Sequence, residues 1–251
     1  TKILFQYLDK QLMTVDDAIL SAFVDVLQRK FSTSLRAVMF YGSCLRSREY
    51  KEAMLDFYVI VDDYQTAYDS KAHAVLNACL APNVYFQTVE VEDLKVQAKY
   101  AVLSEKDLLL QTSIRAYHSY FWARFAQPFA LIYQADVQAR VQLIQAQLNS
   151  ITTIYTKTIG LFNAAPTARE FWVGALQKTY SAELRAESKL RAGMIYESNQ
   201  RHYDEAFNTL MNMGFNYSSR TSRWTVWNWV IRAAWGKLLS ILRLLKAATT
   251  F

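Results

Sequence analysis

The stretch that decides the fold is Phe40–Asp63, FYGSCLRSREYKEAMLDFYVIVDD. A hydrophobic strand ends in the pair Gly42-Ser43, and a second apolar strand carries Asp56 after a short polar, charged segment. A glycine lets a phosphate approach backbone N–H groups that a Cβ would shield, and a carboxylate is a ligand that Mg²⁺ prefers. The stretch therefore predicts a site for a nucleoside triphosphate and Mg²⁺ between two strands.

Composition limits the class of protein. The chain has 251 residues, of which 52% are hydrophobic, and this predicts one or two globular domains with a real core. The net charge of +6 suits nucleic acid, an anionic membrane or a phosphorylated substrate without choosing among them. Two cysteines, Cys44 and Cys79, are too few for a disulfide framework, so we expect reduced thiols in a cytosolic compartment. The three histidines have no ligand spacing, which argues against a zinc site.

Strands and helices alternate around the opening stretch. Strands are predicted over 35–41, 54–61, 84–91 and 94–103. Helices are predicted over 15–30 and 64–79, and Ser104 is expected to cap a further helix. This mixed order predicts a small sheet domain with flanking helices over residues 1–133.

Residues from 134 onward show helical periodicity and no strand pattern. One predicted helical face consists of Val137, Val141, Ile144, Leu148, Ile151 and Tyr155. A turn is expected at 163–166, a helix from Thr167, and a linker at 214–219. We therefore expect an α+β fold in which a helical domain over 134–219 and a C-terminal amphipathic helix over 220–251 follow the mixed sheet.

The Gly-Ser pair and Asp56 together resemble the active site of the polymerase-beta-like nucleotidyltransferases. Alone, such a pair is an ordinary turn. In that superfamily the second strand carries Asp-x-Asp, whereas Tyr58 takes the second place here, and tyrosine is not an anionic ligand at neutral pH. Asp62 has the same strand parity but lies roughly 20 Å from Asp56 on a straight strand, too far to bind the same metal.

A narrower family accounts for Tyr58. Ala53–Asp63, which follows the Tyr-Gly-Ser of Tyr41–Ser43, closely resembles the mitochondrial-type phosphatidate cytidylyltransferases, the translocator assembly and maintenance family. These proteins also carry Asp-Phe followed by a non-acidic residue and then Val-Asp-Asp. Lys99–Leu108 is similar to a second block of the family, and looser similarity covers WARFAQPF around Arg124, Tyr180–Glu187 and Gly236–Lys246. The chain is identified as a member, and a bacterial one is expected.

The chain departs from the family pattern at a few positions. Cys44 replaces a glycine, Gln127 replaces a lysine, and a Trp-His pair expected after Val-Asp-Asp is absent. The residues that carry the expected chemistry are retained: Gly42, Ser43, Asp56 and Lys99.

The resemblance implies a reaction in which CTP and phosphatidic acid give CDP-diacylglycerol and pyrophosphate, with Mg²⁺ as the cofactor. It implies Asp56 as the metal ligand and, with Lys99, as a catalytic residue. The implied nucleotide-binding residues are Tyr41, Gly42, Ser43 and Arg124. Arg185 is the implied contact for a phosphate or lipid head group, because arginine binds phosphate through paired donors. A surface ion pair is the alternative for Arg124 and for Arg185.

The last segment predicts a basic amphipathic helix. Its apolar stripe consists of Trp224, Trp227, Ile231, Trp235, Leu238, Leu242 and Leu245. Basic residues, among them Lys237 and Arg243, lie at the edges of the stripe and on the opposite face. Such a helix is typical of interfacial membrane binding, for which we expect Trp224, Trp227, Trp235, Lys237 and Arg243 to be used. Packing against its own domain or against a partner subunit is the alternative.

These features lead to an expected location and expected partners. We expect a peripheral protein on the cytoplasmic face of a bacterial inner membrane, or on the matrix side of the mitochondrial inner membrane in a eukaryote. Its expected partners are CTP, phosphatidic acid and an anionic membrane surface, and no nucleic acid is expected. Two alternatives stay open: a soluble nucleotidyltransferase acting on a small molecule or RNA, and a non-catalytic membrane-surface module.

Overall fold

A five-stranded mixed sheet organises the first part of the chain. Its strands are β1 (Leu35–Tyr41), β2 (Met54–Val61), β3 (Asn83–Val91), β4 (Leu94–Ser104) and β5 (Ala130–Gln134), in the order β3-β4-β2-β1-β5. β2 and β4 run parallel, and the other neighbouring pairs are antiparallel. The computed structural model describes residues 2–51, 53–183, 189–217 and 223–249.

Helices flank the sheet and make up most of the remaining described chain. They are α1 (Lys2–Gln11), α2 (Ala18–Phe31), α3 (Ser43–Ser47), α4 (Tyr64–Ala67), α5 (Lys71–Cys79), α6 (Glu105–Thr112), α7 (Trp122–Ala126), α8 (Val137–Thr158), α9 (Ala168–Ser181), α10 (Lys189–Glu197), α11 (Gln200–Asn212) and α12 (Arg223–Thr249). The predicted α+β class, with a mixed sheet followed by further helices, is confirmed.

Side-chain caps fix several helix starts where the sequence predicts them. The Ser104 hydroxyl accepts a hydrogen bond from the backbone N–H of Asp107 at 3.2 Å. Thr167 and Glu170 form a reciprocal capping box at the start of α9. The predicted starts of α6 and α9 are therefore confirmed, because each begins where a side chain satisfies an orphan N–H group.

Other elements differ from the sequence-based prediction. The helix predicted over 64–79 is two helices, α4 and α5, because Ser70 caps a new start at Lys71 by accepting a hydrogen bond from the His73 N–H. Strand β5 was not predicted: it has five residues and pairs with β1 on one side. Val137 and Val141 are exposed, so the predicted helical face is buried only from Ile144 onward.

The chain divides into two compact units that interleave along the sequence. Within the described residues, a helical unit takes 2–10, 110–128 and 144–242, and a sheet unit takes 11–109, 129–143 and 243–249. The sequence-based division, with boundaries at 133 and 219, makes each domain one continuous stretch of chain. That division stays a prediction.

One face of the sheet packs against α2. The Phe23 ring of α2 lies 5.3 Å, centroid to centroid, from Phe57 of β2, and Phe57 lies 5.4 Å from Phe40 of β1. Leu20 and Leu27 of α2 are buried in the same cluster. Because side chains alternate along a strand, Asp56 and Tyr58 project from the opposite face.

The helical unit has its own aromatic core. The Trp172 indole N–H donates to the Tyr203 carbonyl at 2.7 Å, and the two rings lie 4.9 Å apart. His202 is buried, and its Nε2 lies 2.9 Å from the Ala126 carbonyl oxygen. Burial lowers the pKa of His202 to about 4, so this imidazole is neutral at physiological pH.

Candidate nucleotide-transfer site

Strand register brings three of the predicted site residues into one row. Tyr41 of β1 pairs with Asp56 of β2, and Asp56 pairs with Lys99 of β4. Residues opposite one another on neighbouring strands project to the same face of a sheet. The three side chains therefore share the face that α2 does not cover.

Asp56 and Lys99 form an ion pair across β2 and β4. The Lys99 Nζ lies 3.0 Å from Asp56 Oδ1, and the two side chains are 47% and 20% exposed, respectively. A pair at this exposure is screened by water and contributes little stability. It does keep a carboxylate and a cation together where solvent, and therefore a ligand, can reach both.

Gly42 approaches the carboxylate from the other side. Its φ of +92° lies in the region that favours glycine. A Cβ built on Gly42 would lie 2.9 Å from Asp56 Oδ2, which is closer than such atoms normally approach. The backbone conformation thus favours a glycine here, and a larger residue would have to displace the Asp56 carboxylate. Ser43 follows at the exposed start of α3.

Tyr58, two residues beyond Asp56 on the same face of β2, has a buried ring. Its ring stacks on that of Tyr41, with centroids 5.0 Å apart and planes at 26°. Tyr58 is buried and so contributes packing beside Asp56. In the part of the chain that the structure describes, no group of three or more His, Cys, Asp or Glu side chains is placed to hold a metal. Asp56 is the carboxylate that the row of Tyr41, Asp56 and Lys99 offers to a metal.

The acids at the end of β2 have structural partners. Asp63 accepts a hydrogen bond from the Gln65 N–H at 2.7 Å and caps α4. Asp62 accepts one from the Thr66 hydroxyl at 2.8 Å. Both contacts stabilise the first turn of α4, which matches the capping role weighed from the sequence.

Cys44, next to the Gly-Ser pair, is a packing residue. Its side chain is buried, and its thiol donates to the Met54 carbonyl at 3.5 Å. Burial raises the pKa of the Cys44 thiol, so it stays protonated at neutral pH.

Arg124 lies in the helical unit and is held by an acid. Its Nη1 and Nη2 lie 2.6 and 2.8 Å from the two carboxylate oxygens of Glu183. The guanidinium also stacks 4.1 Å from the Tyr120 ring centroid. An ion pair, one of the two alternatives for Arg124, is therefore formed, and a phosphate would have to exchange with Glu183. Arg185 lies outside the described residues.

No protein-family model matches the chain, and no curated protein matches it. The support for this candidate site therefore comes from its local geometry.

Helix α12 exposes many large apolar side chains to solvent. Trp227 is 64% exposed and Trp235 is 45% exposed. The other large apolar side chains exposed on this helix are Val226, Val230, Ile231, Leu238, Ile241, Leu242, Leu244 and Leu245. We call these ten residues the outer stripe. The side chain of Trp224, also predicted to meet a membrane, lies outside the described part of the structure.

The buried side of α12 carries cations. Arg232 and Lys246 are both buried, and the Lys246 ammonium donates to the Pro82 carbonyl at 3.0 Å and to that of Leu80. Arg243 Nε donates to the Ala81 carbonyl at 2.9 Å, whereas Lys237 is exposed. Of the two basic residues expected to meet anionic lipid, Arg243 thus already binds a backbone carbonyl.

The burial of basic residues on the other side of α12, Arg232 and Lys246, was not predicted from the sequence. The helical spacing of the buried positions is the sequence pattern that could have indicated the covered side. These positions are Trp229, Arg232, Gly236 and Lys246. At Gly236, a Cβ would lie 2.5 Å from the Ala182 carbonyl oxygen, so the covered side requires a small residue. No helix within the described ranges is both long and apolar enough to cross a bilayer.

Proposed function

We propose that this protein is a Mg²⁺-dependent CTP:phosphatidate cytidylyltransferase that works at a membrane surface. The observation that carries the proposal is the Asp56 carboxylate, which lies 3.0 Å from Lys99 Nζ on one side and, on the other, beside Gly42, where an added Cβ would lie 2.9 Å from Oδ2. The choice of CTP and of phosphatidic acid rests on the resemblance of Tyr41–Ser43, Ala53–Asp63 and Lys99–Leu108 to that enzyme family.

Gly42 and Ser43 would bind the β- and γ-phosphates of the nucleotide. Because Gly42 has no side chain, a phosphate can approach its backbone, and the exposed Ser43 can offer its N–H and hydroxyl as donors. The same glycine keeps this turn close to Asp56, so the phosphates would be bound beside the carboxylate.

Asp56 fits a magnesium site of the kind that nucleotides complete. Mg²⁺ commonly takes one or two carboxylates and fills its other positions with phosphate oxygens and water. When bound, the ion would supply charge neutralisation to the triphosphate and the leaving pyrophosphate. Lys99 already contacts the Asp56 carboxylate and would add a second positive charge beside the phosphates.

The proposed transfer needs positioning more than covalent help from the protein. A phosphate oxygen of phosphatidic acid attacks the α-phosphorus of CTP and forms a new P–O bond. The bond between the α-phosphorus and the bridging oxygen breaks, and pyrophosphate leaves with that electron pair. Holding the reactants in line and neutralising their charge lowers the barrier to this step.

The outer stripe of α12 supports the membrane part of the proposal. Exposing ten large apolar side chains on one helix to water is unfavourable, and contiguous apolar surface of this kind marks an interaction site. Trp side chains at the boundary of an acyl layer are typical of interfacial helices. We place the protein peripherally on the cytoplasmic face of a bacterial inner membrane, or on the matrix side in mitochondria.

Product analysis tests the proposal. The wild-type chain, with labelled CTP, Mg²⁺ and phosphatidic acid in mixed micelles, is expected to form CDP-diacylglycerol and pyrophosphate. Asp56→Ala should abolish the product, and Asp25→Asn, an exposed acid on α2, should not change it. Nucleotide turnover onto a soluble acceptor without lipid product would favour a soluble nucleotidyltransferase. Failure to bind Mg²⁺–CTP would favour a non-catalytic module.

A further inference from the structure

A fourth residue extends the row of Tyr41, Asp56 and Lys99. Phe86 of β3 pairs with Lys99 of β4. Because the strands are neighbours in the order β3-β4-β2-β1, the row runs from Phe86 on β3, at one end of the sheet, to Tyr41 on β1. Residues opposite one another on neighbouring strands project to the same face, so the Phe86 side chain lies on the face that carries the candidate site.

Phe86 is unusually accessible for an aromatic residue of the sheet unit. Its exposed fraction is 56%, and no other Phe, Tyr or Trp among the described residues of this unit is classed as exposed. A single exposed apolar side chain is common on protein surfaces and by itself indicates nothing. What distinguishes Phe86 is its register with Lys99 and Asp56, which places an accessible ring in line with the candidate site.

The order of residues in the row matches the order of parts in a nucleotide. Neighbouring strands lie about 4.8 Å apart, so Phe86 lies roughly 10 Å from Asp56, across β4. Lys99 lies between them, with its Nζ 3.0 Å from Asp56 Oδ1. In the proposed function the β- and γ-phosphates are bound at Gly42, on the β1 side of Asp56. The base, joined to the α-phosphate through the ribose, then lies toward β3 and Phe86.

We infer that Phe86 is the stacking platform for the base of the bound nucleoside triphosphate. The inference rests on the proposed function, because it takes the phosphates to be bound at Gly42 and Asp56. An aromatic ring suits this task, because every base has a π-face and stacking needs no hydrogen-bond partner. The accessible ring of Phe86 lies on the side of the site toward which the base extends. The plain alternative is an isolated surface phenylalanine that takes no part in nucleotide binding.

Calorimetric titration of the full chain in Mg²⁺ tests the platform. It compares CTP with inorganic tripolyphosphate, which has three linked phosphates and no base. Phe86→Ala removes the ring, and Phe86→Trp keeps an aromatic platform. Val75→Ala is the matched control, because Val75 is a 60% exposed apolar residue of the same unit on α5. No lipid is present, so the result does not depend on whether CDP-diacylglycerol is made.

Phe86→Ala is expected to weaken CTP binding about tenfold, because stacking on an aromatic side chain contributes that much to the binding of a base. Its affinity for tripolyphosphate should stay at the wild-type value, which also shows that the variant is folded. Phe86→Trp should bind CTP as tightly as the wild type. Val75→Ala should change neither affinity.

Unchanged CTP binding by Phe86→Ala, or an equal loss of affinity for CTP and tripolyphosphate, overturns the base platform and leaves the Asp56 site unaffected. Unchanged CTP affinity with a higher KM for dihexanoyl phosphatidic acid also overturns it and assigns Phe86 to the lipid substrate. Failure of the wild type to bind either CTP or tripolyphosphate overturns the platform and the proposed function together.

Discussion

Strand β2 and helix α12 place their charged and apolar residues in opposite ways. In β2, the apolar residues Leu55, Phe57, Val59 and Val61 are buried, and Asp56 keeps contact with water. In α12, large apolar residues are exposed while Arg232 and Lys246 are buried. The strand follows the rule for a protein in water, and the helix departs from it on both faces.

The difference indicates that the two regions meet different surroundings. A carboxylate at partial exposure can exchange its partner Lys99 for a ligand from solution. A helix with an apolar outer stripe needs a non-aqueous partner, and we propose a membrane. A lipid-modifying nucleotidyltransferase requires both kinds of surface, because CTP is dissolved and phosphatidic acid stays in the bilayer.

After loss of Asp56 itself, the largest effect is expected from a single methyl group added beside it in the sheet unit. Gly42→Ala should reduce turnover by about 100-fold, because the added Cβ displaces the Asp56 carboxylate and small misplacements carry losses of that size. The substitution should also lower the free energy of unfolding, because alanine is strained at the φ of +92° that Gly42 adopts. Gly193→Ala is the matched control: nothing lies within 4 Å of its added Cβ. Equal activity of the two variants would remove the role given to Gly42.

The outer stripe should determine affinity for membranes. Trp227→Ser combined with Trp235→Ser is expected to weaken binding to anionic vesicles by about tenfold per tryptophan, because burial of each large side chain is lost. Vesicle co-sedimentation measures this effect. Leu190→Ser removes an exposed apolar side chain from α10 and should leave binding unchanged. Unaltered binding by the double variant would favour packing against a partner subunit.

Buried Lys246 of α12 should affect how the free energy of unfolding depends on pH in the alkaline range. Burial lowers the pKa of Lys246 to about 8, below its ordinary value of 10.5. Between these values the unfolded chain binds more protons than the folded chain, so this lysine makes the unfolding free energy rise as pH increases from 8 to 10.5. Urea unfolding should show a smaller rise in Lys246→Met than in the wild type. Identical profiles would contradict a buried ammonium.

Sequence reasoning predicted the sheet better than the surfaces. The bounds of β1 and β2 were predicted correctly from their apolar runs, because a buried strand is apolar along its whole length. Strand β5 was missed because its five residues pair with segments distant in sequence, β1 and Met13. Local patterns contain no information about such partners.

The candidate site shows the same limit. Asp56, Lys99 and Gly42 were named from the sequence, but their closeness depends on strand register, which the structure supplies. In α12 the apolar stripe was predicted, but two faces with helical spacing compete, and periodicity alone cannot say which one is covered. The buried position of Arg232 therefore follows only from tertiary packing.

The most direct measurement is formation of CDP-diacylglycerol on anionic vesicles and from soluble dihexanoyl phosphatidic acid, by three forms of the chain. We predict that wild type makes product from both substrates and that Asp56→Asn makes product from neither. The Trp227→Ser and Trp235→Ser double variant should lose activity on vesicles and keep it on the soluble lipid. Product formed by Asp56→Asn at the wild-type rate, or no product from wild type on either substrate, would contradict the account.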